Sequence, residues 1–194
     1  STKVFVLEVM GRHAGWIAAS GALAQEKLGD PPHIILFPEV PFDQPGFLKK
    51  VKRTVESKGF CVIVVSEGVR TKEGEFLADS GVKDAFGHMQ LGGVAPVIAG
   101  LIGGKLGYKN HWAVADYLQR AARHIASATD VEQAYELGKA AVELAIAGKS
   151  GLMPVIKRLS DKPYRWKIGH EKLSKVANVE RFMPKNYISS DGYG

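Results

Sequence analysis

The sequence predicts an α/β fold built on a parallel sheet, and three observations carry that prediction. Three short apolar runs, residues 3–9, 33–37 and 60–66, are rich in valine and isoleucine, as strands buried on both faces are. Between them lie stretches with helical spacing, residues 16–28 and 44–58. Strong stops separate the pieces: Gly29 and Pro31-Pro32 after the first stretch, Pro38 after the second run, and Gly59 after the second stretch. Strand, helix, strand, helix, strand implies parallel pairing through right-handed crossovers.

Beyond residue 66 the pattern changes. Residues 67–81 read as a polar loop and 82–89 as a further strand. Residues 94–106 are apolar and expected to be helical, although Pro96, Gly100, Gly103 and Gly104 weaken the pattern. Residues 111–127 are expected to form an amphipathic helix with Val114, Leu118, Ala121 and Ile125 on one stripe. Thr129 or Asp130 is expected to cap a helix over 131–147, with Gln133 completing an approximate capping box. Residues 152–157 read as a strand that Pro154 confines to an edge. The tail, rich in Lys, Tyr, Ser and Gly, is expected to wrap over a surface. The expected division is an α/β region over 1–90 and a mainly helical region over 91–194.

Composition narrows the function classes. Of the 194 residues, 45% are hydrophobic and 24% charged, the balance of a globular domain. No apolar run reaches the roughly 20 residues that a membrane-spanning helix needs, and no membrane partner is expected. The single cysteine, Cys61, lies in an apolar run, which favours a reducing cytoplasm. The net charge of +6 raises the question of nucleic acid, but the basic residues are dispersed. Lys49, Lys50, Lys52 and Arg53 alternate with apolar positions, as on a solvated helix face, and Lys157, Arg158, Lys162, Arg165 and Lys167 flank the C-terminal segment. No zinc-finger spacing or RNA-recognition signature accompanies them, so small anions are the expected partners.

The turn Met10-Gly11-Arg12-His13-Ala14-Gly15 follows the first strand. In open α/β sheets ligands bind beyond the carboxyl ends of strands, and amides at a helix start attract anions. Arg12 sits where a helix dipole disfavours a cation, so a bound anion would account for it; a solvated arginine in an ordinary glycine turn is the competing reading. Glu67 and Gly68 end the third strand in a comparable place, where a carboxyl can accept hydrogen bonds from sugar hydroxyls. Tyr117 and Arg120 are three apart on an expected helix and so share a face suited to a phosphate, with Arg123 and His124 close by. His88 is flanked by glycines and reads equally as a ligand contact or a buried histidine. No histidine or cysteine spacing suggests a metal, and neither Gly-x-Ser-x-Gly nor a GxxxxGK[ST] phosphate loop occurs.

These segments, in this order, resemble the motifs of the phosphofructokinase family. Met10-Gly11-Arg12-His13-Ala14-Gly15 resembles its "MGRxxG", Pro38-Glu39 its Pro-Glu segment, and Ser66-Glu67-Gly68 the strand end bearing its sugar-contacting glutamate. Gly87-His88-Met89-Gln90-Leu91-Gly92-Gly93 is similar to "GHxQRGG", and Tyr117-Leu118-Gln119-Arg120 to the "YxxR" of the pyrophosphate-dependent branch. The resemblance covers most of residues 1–125 and implies phosphofructokinase-like parallel sheets with flanking helices. It implies that Met10, Gly11 and Arg12 cradle fructose 6-phosphate, with Glu67 on its hydroxyls, Tyr117 and Arg120 on its phosphate, and His88 as a further candidate contact. Residues 1–90 would then be the fructose 6-phosphate-binding region, and 91–194 would complete the sugar site and pack on an N-terminal domain. Lys3 falls where relatives place an arginine reaching a neighbouring subunit, which implies a homo-oligomer.

Two departures qualify the match: Leu91 replaces the arginine of "GHxQRGG", and Val82-Lys83 stand near another arginine position of the ATP-dependent enzymes. The family's glycine-rich donor loop and its "TIDND"-like catalytic aspartate have no counterpart in the sequence. No catalytic residue is therefore assigned here, Mg2+ and pyrophosphate are expected to bind mainly to the missing part, and the isolated chain is expected to be inactive. The implied activity is glycolytic transfer of a phosphoryl group from pyrophosphate to fructose 6-phosphate. An ATP-dependent 6-phosphofructokinase and a non-catalytic phosphosugar-binding regulatory chain are the alternatives.

Overall fold

A computed structural model describes residues 1–83, 89–91 and 93–194 of the chain. His88 lies outside the described residues, as do Gly87 and Gly92 of its motif. Two compact units emerge, one formed by residues 1–119 with 180–194, the other by residues 120–179. Residues 91–119, expected in a second region, thus belong to the first unit.

The first unit is a four-stranded parallel sheet in the order β2-β3-β1-β6, with β6 at Asn110–Val114. Strands β1 (Val4–Val9), β2 (Ile34–Leu36) and β3 (Cys61–Ser66) are the three apolar runs, as expected. Helix α2 (Gln44–Lys58) matches its expected span. The Asp43 carboxyl accepts from the Gly46 amide at its start, and Gly59, in the left-handed region at φ 85°, ends it. Phe47, Val51 and Val55 of α2 pack on one sheet face with Val94, Ala95, Ile98 and Ile102 of α3 (Val94–Leu106). Packing that buried stripe outweighs the glycines of α3. Cys61 belongs to this core, and burial pushes its thiol up to about 12.

The other sheet face is more thinly covered. The helix expected over 16–28 is the five-residue α1 (Trp16–Ser20) followed by a 3-10 turn, Gly21–Ala24. Leu23 and Leu28 face solvent, so an extension would have no apolar stripe to bury, and alanine propensity alone does not hold a short helix. Phe5 of β1 is consequently exposed on this side, in contrast to the expected burial on both faces.

Two further expectations fail for tertiary reasons. Residues 111–127 are not one helix. Asn110–Val114 form β6, paired in parallel with β1 from Val4↔Asn110 to Glu8↔Val114, and only the short α4 (Leu118–Ala121) and a 3-10 turn, Arg123–Ile125, follow. The edge of β1 supplies hydrogen-bond partners that the helical period of the side chains did not reveal. The C-terminal tail carries a strand that sequence reading missed. In the second unit β7 (Leu152–Asp161) pairs antiparallel with β8 (Tyr164–Lys172). Pro154 is tolerated there because both strands of a two-stranded sheet are edges.

Helix α5 (Ala128–Ile146) is capped by Ser127, whose hydroxyl accepts from Asp130, rather than by Thr129 or Asp130. Gln133 is buried and donates to the Tyr164 hydroxyl at 2.8 Å instead of closing a capping box. A β4–β5 pair, Asp79–Lys83 with Met89–Leu91, lies where one strand over 82–89 was expected. Short α6 (Leu173–Val176) follows β8.

Glu8 breaks the apolar run of β1 and is 1% exposed. Its carboxyl accepts from the Gly93 amide at 3.0 Å and the Ala95 amide at 2.7 Å, closing the start of α3. Burial pushes its pKa above the ordinary carboxyl value, the neighbouring Glu67 pushes the same way, and the α3 amides pull it back. Between the ordinary value of 4.5 and the raised one, the folded state holds more protons than the unfolded state. Glu8's contribution is therefore full below 4.5 and is lost as pH rises through the raised value. Glu8→Gln should lack that slope, and by turning an amide donor toward a backbone N–H it should destabilise by about 1–3 kcal/mol. Thermal unfolding of both proteins across about pH 4 to 7 checks this, and parallel pH dependences would rule it out.

Candidate functional site

Parallel strands deliver their carboxyl ends to one edge of the sheet, and the candidate residues of the first unit collect there. Met10-Gly11-Arg12 leave β1, Glu67 leaves β3, Glu39 follows β2, and Tyr117 follows β6. The Arg12 turn has an unusual backbone: Gly11 has φ 148° and Arg12 φ 47°. A side chain on Gly11 would place its Cβ 2.7 Å from the Ala14 carbonyl oxygen. A left-handed arginine is costly and persists only where its surroundings hold it.

Glu67 holds it. One carboxyl oxygen of Glu67 accepts from the Gly11 amide at 3.2 Å and from the Arg12 amide at 3.1 Å, while the Glu67 amide donates to the Val9 carbonyl. The backbone just beyond β3 also passes close to the turn. A Cβ on Gly68 would lie 1.3 Å from the Arg12 carbonyl oxygen, a position no side chain can take. The Gly15 amide at the start of α1 is occupied as well, donating to Glu39 at 2.9 Å.

The expectation that exposed amides await an anion is thus corrected. The chain's own carboxyls take the Gly11, Arg12 and Gly15 amides, which leaves the half-buried Arg12 guanidinium as the permanent positive group of the turn. Among the described residues no acidic side chain pairs with that guanidinium. An arginine fork beside a carboxyl is the pairing that recognises an anionic group and adjacent hydroxyls.

The remaining candidates are placed as follows. Tyr117 is largely exposed just beyond β6, and the Ala115 amide donates to the Glu8 carbonyl to hold that strand end. Tyr117 lies outside α4, which begins at Leu118, so the shared helix face expected for Tyr117 and Arg120 is replaced by a turn in which Asp116 has φ 41°. Arg120 opens the second unit, where it lines a cleft with Arg123, Asp130 and Tyr135. Lys3 lies at the far end of β1: the strand is six residues, about 20 Å at roughly 3.3 Å each. Its Nζ donates to the Gly59 carbonyl, so within one chain it does not join Arg12.

Sequence reading missed Glu8, although a lone carboxyl in an otherwise apolar strand was the available signal. It quoted Gly68 and Glu39 within motifs without their physical reasons. Among the described residues no three His, Cys, Asp or Glu side chains come together as a metal site. No described helix is long and apolar enough to cross a membrane.

The first unit is thus an open parallel α/β sheet that carries an acidic and a basic side chain at its carboxyl edge. Residues 1–145 match the family model Phosphofructokinase; the chain belongs to that family. It is 63% identical over its whole length to a pyrophosphate–fructose 6-phosphate 1-phosphotransferase of Halomonas elongata, covering 46% of that protein, and 62% identical to the one of Methylococcus capsulatus, again covering 46%. A solved pyrophosphate-dependent phosphofructokinase from Marinobacter aquaeolei superposes over the full chain with a TM-score of 0.84 at 57% identity, the chain covering 45% of it. The chain therefore spans about half the length of these relatives.

Proposed function

We propose that this chain supplies the fructose 6-phosphate site of a pyrophosphate-dependent phosphotransferase, the complete polypeptide making fructose 1,6-bisphosphate. The observation that carries the reading is the joining of Arg12 and Glu67 at the carboxyl edge of the sheet, one carboxyl pinning both amides of the arginine's turn. The names of the close relatives support the same substrates. Met10, Gly11 and Arg12 cradle the sugar phosphate, Glu67 accepts from its hydroxyls, and Tyr117 and Arg120 take its phosphate. Lys3, remote from Arg12 in its own chain, serves the site of a neighbouring copy in a homo-oligomer.

In the reaction the sugar's 1-hydroxyl oxygen bonds to a phosphorus of pyrophosphate as the bridging P–O bond breaks, and orthophosphate leaves. The hydroxyl proton passes to a base outside this chain, as do the seats of pyrophosphate and Mg2+. The contribution of these residues is positioning, and the chain alone does not turn over. The protein acts in the cytoplasm.

The test is fructose 1,6-bisphosphate formation by the complete polypeptide with pyrophosphate or ATP. Turnover with pyrophosphate is expected; turnover with ATP alone would reassign the donor, and none with either would favour a regulatory phosphosugar-binding chain. Arg12→Ala and Arg120→Ala should each raise KM for fructose 6-phosphate about a hundredfold, the scale of a lost charge-assisted bidentate contact. Wild-type kinetics in both variants would sink the assignment.

A further inference from the structure

We infer that Glu39 is a positioning residue that ties a C-terminal strap, residues 180–183, to the Arg12 turn and thereby sets the affinity of the site for its sugar phosphate. The inference rests on the reading of Arg12 as a substrate contact. Its starting point is that Glu67 fixes the turn from one flank only, through the amides of Gly11 and Arg12. The strained pair is followed by His13, Ala14 and Gly15, and α1 is too short to hold these residues by its own hydrogen bonds.

The second flank is held by residues more than 140 positions away. One oxygen of Glu39 accepts from the Gly15 amide at 2.9 Å and from the Met183 amide at 2.9 Å, so a single atom joins the turn to the strap. On either side of that atom the strap makes further contacts with the same short stretch. His13 Nδ1 lies 2.6 Å from the Glu180 carboxyl, and the Trp16 indole N–H donates to the Arg181 carbonyl at 2.7 Å. The Arg181 guanidinium sits over the Trp16 ring, 5.8 Å from its centre. Met183 is 4% exposed, anchored in the core with Phe37, Ala18 and Val64.

Glu39 makes this bridge with only one of its two carboxyl oxygens. Its second carboxyl oxygen is buried and has no hydrogen-bond partner among the described residues. A buried carboxyl oxygen left without a donor costs stability, so the group is poorly explained as a stabilising device and well explained as a bridge between two amides. Arg12 thus stands between two carboxyl clamps, Glu67 facing the site and Glu39 behind it. Loosening the rear clamp lets Gly15, and with it Arg12, shift, and displacements on the order of 1 Å at a positioning group can cost up to about a hundredfold.

The experiment uses the complete polypeptide and compares Glu39→Ala with Glu39→Gln. Glu39→Ala is expected to raise KM for fructose 6-phosphate about tenfold, leave KM for pyrophosphate unmoved and change kcat by less than about threefold, a loss of sugar-phosphate binding rather than of chemistry. Glu39→Gln keeps an acceptor for both amides and is expected to restore KM to within about twofold. A folded Glu39→Ala protein with wild-type KM for fructose 6-phosphate would overturn the inference. So would equal rises in both KM values without rescue by Gln, which would mark a general structural role. If Glu39→Ala does not fold, Trp16→Phe decides: it removes the indole donor to Arg181 and shrinks the ring beneath the Arg181 guanidinium, and an unchanged KM for fructose 6-phosphate would overturn the strap's role. Arg12→Ala in parallel separates the two readings. If Arg12→Ala leaves KM unmoved the substrate assignment fails, whereas a raised KM there with a normal one in Glu39→Ala defeats the strap alone.

Discussion

Gly68→Ala is expected to cut fructose 6-phosphate turnover severely in the complete polypeptide. The added Cβ would fall 1.3 Å from the Arg12 carbonyl oxygen and 2.4 Å from its carbonyl carbon, and both belong to backbone, which cannot rotate away as a flexible side chain would. Either the backbone just beyond β3 or the Arg12 turn must move by more than an ångström. Gly68 lies two residues beyond β3, between Glu67, whose amide donates to Val9, and Val69, which is buried and bonded to Ser66 and Leu77, so the displacement should fall on the Arg12 turn. A folded protein with kcat/KM reduced about a hundredfold or more is the expected result. Circular dichroism with steady-state kinetics checks it. Wild-type kinetics would mean that the close approach of strand and turn is not required for the site.

Glu67 carries the second large effect because it does two things at once. Its carboxyl satisfies the amides of Gly11 and Arg12, and the same group faces the proposed sugar. Glu67→Ala leaves two backbone donors without their acceptor beside a left-handed arginine, and should lower kcat/KM by at least about a hundredfold, the scale of two lost hydrogen bonds of about 1.5 kcal/mol each. Glu67→Gln separates the roles. Its amide oxygen can still accept from both N–H groups, so the turn survives, while the sugar hydroxyls lose a carboxyl acceptor. A loss of about tenfold is expected, that of one charge-assisted hydrogen bond. Equal losses in both variants would show that holding the turn is not a separate contribution.

How far these residues were legible differs case by case. Arg12 and Glu67 were found because a glycine-flanked arginine and a strand-terminal glutamate stand out after apolar β-branched runs. That they touch was not legible: their residue numbers differ by 55, and only the pairing Val9↔Ser66 places the ends of β1 and β3 side by side. Tyr117 and Arg120 were named as candidates on a shared helix face, and that support is absent, because α4 begins only at Leu118. The stripe of Val114, Leu118, Ala121 and Ile125 has helical period, yet Asn110–Val114 pairs with β1 because an open strand edge satisfies more backbone groups than a solvent-facing helix turn. The strap was legible only as a tail that wraps a surface, since polar, glycine-containing segments carry no period from which a docking site can be read.

The sequence by itself determined the α/β class, the extent of α2, the apolar strands and the order of the family's motifs. These follow from local rules: two-sided burial selects β-branched runs, Asp43 and Gly59 punctuate a helix, and a glycine marks a backbone that no side chain can share. Tertiary structure alone decided which carboxyl holds which amide. Glu67 fills the Arg12 turn, Glu8 the start of α3, and Glu39 the gap between Gly15 and Met183. The reason is that a buried N–H must find an acceptor, but many carboxyls along a chain can serve, and only the register of the sheet and the path of the tail bring one of them within hydrogen-bond reach.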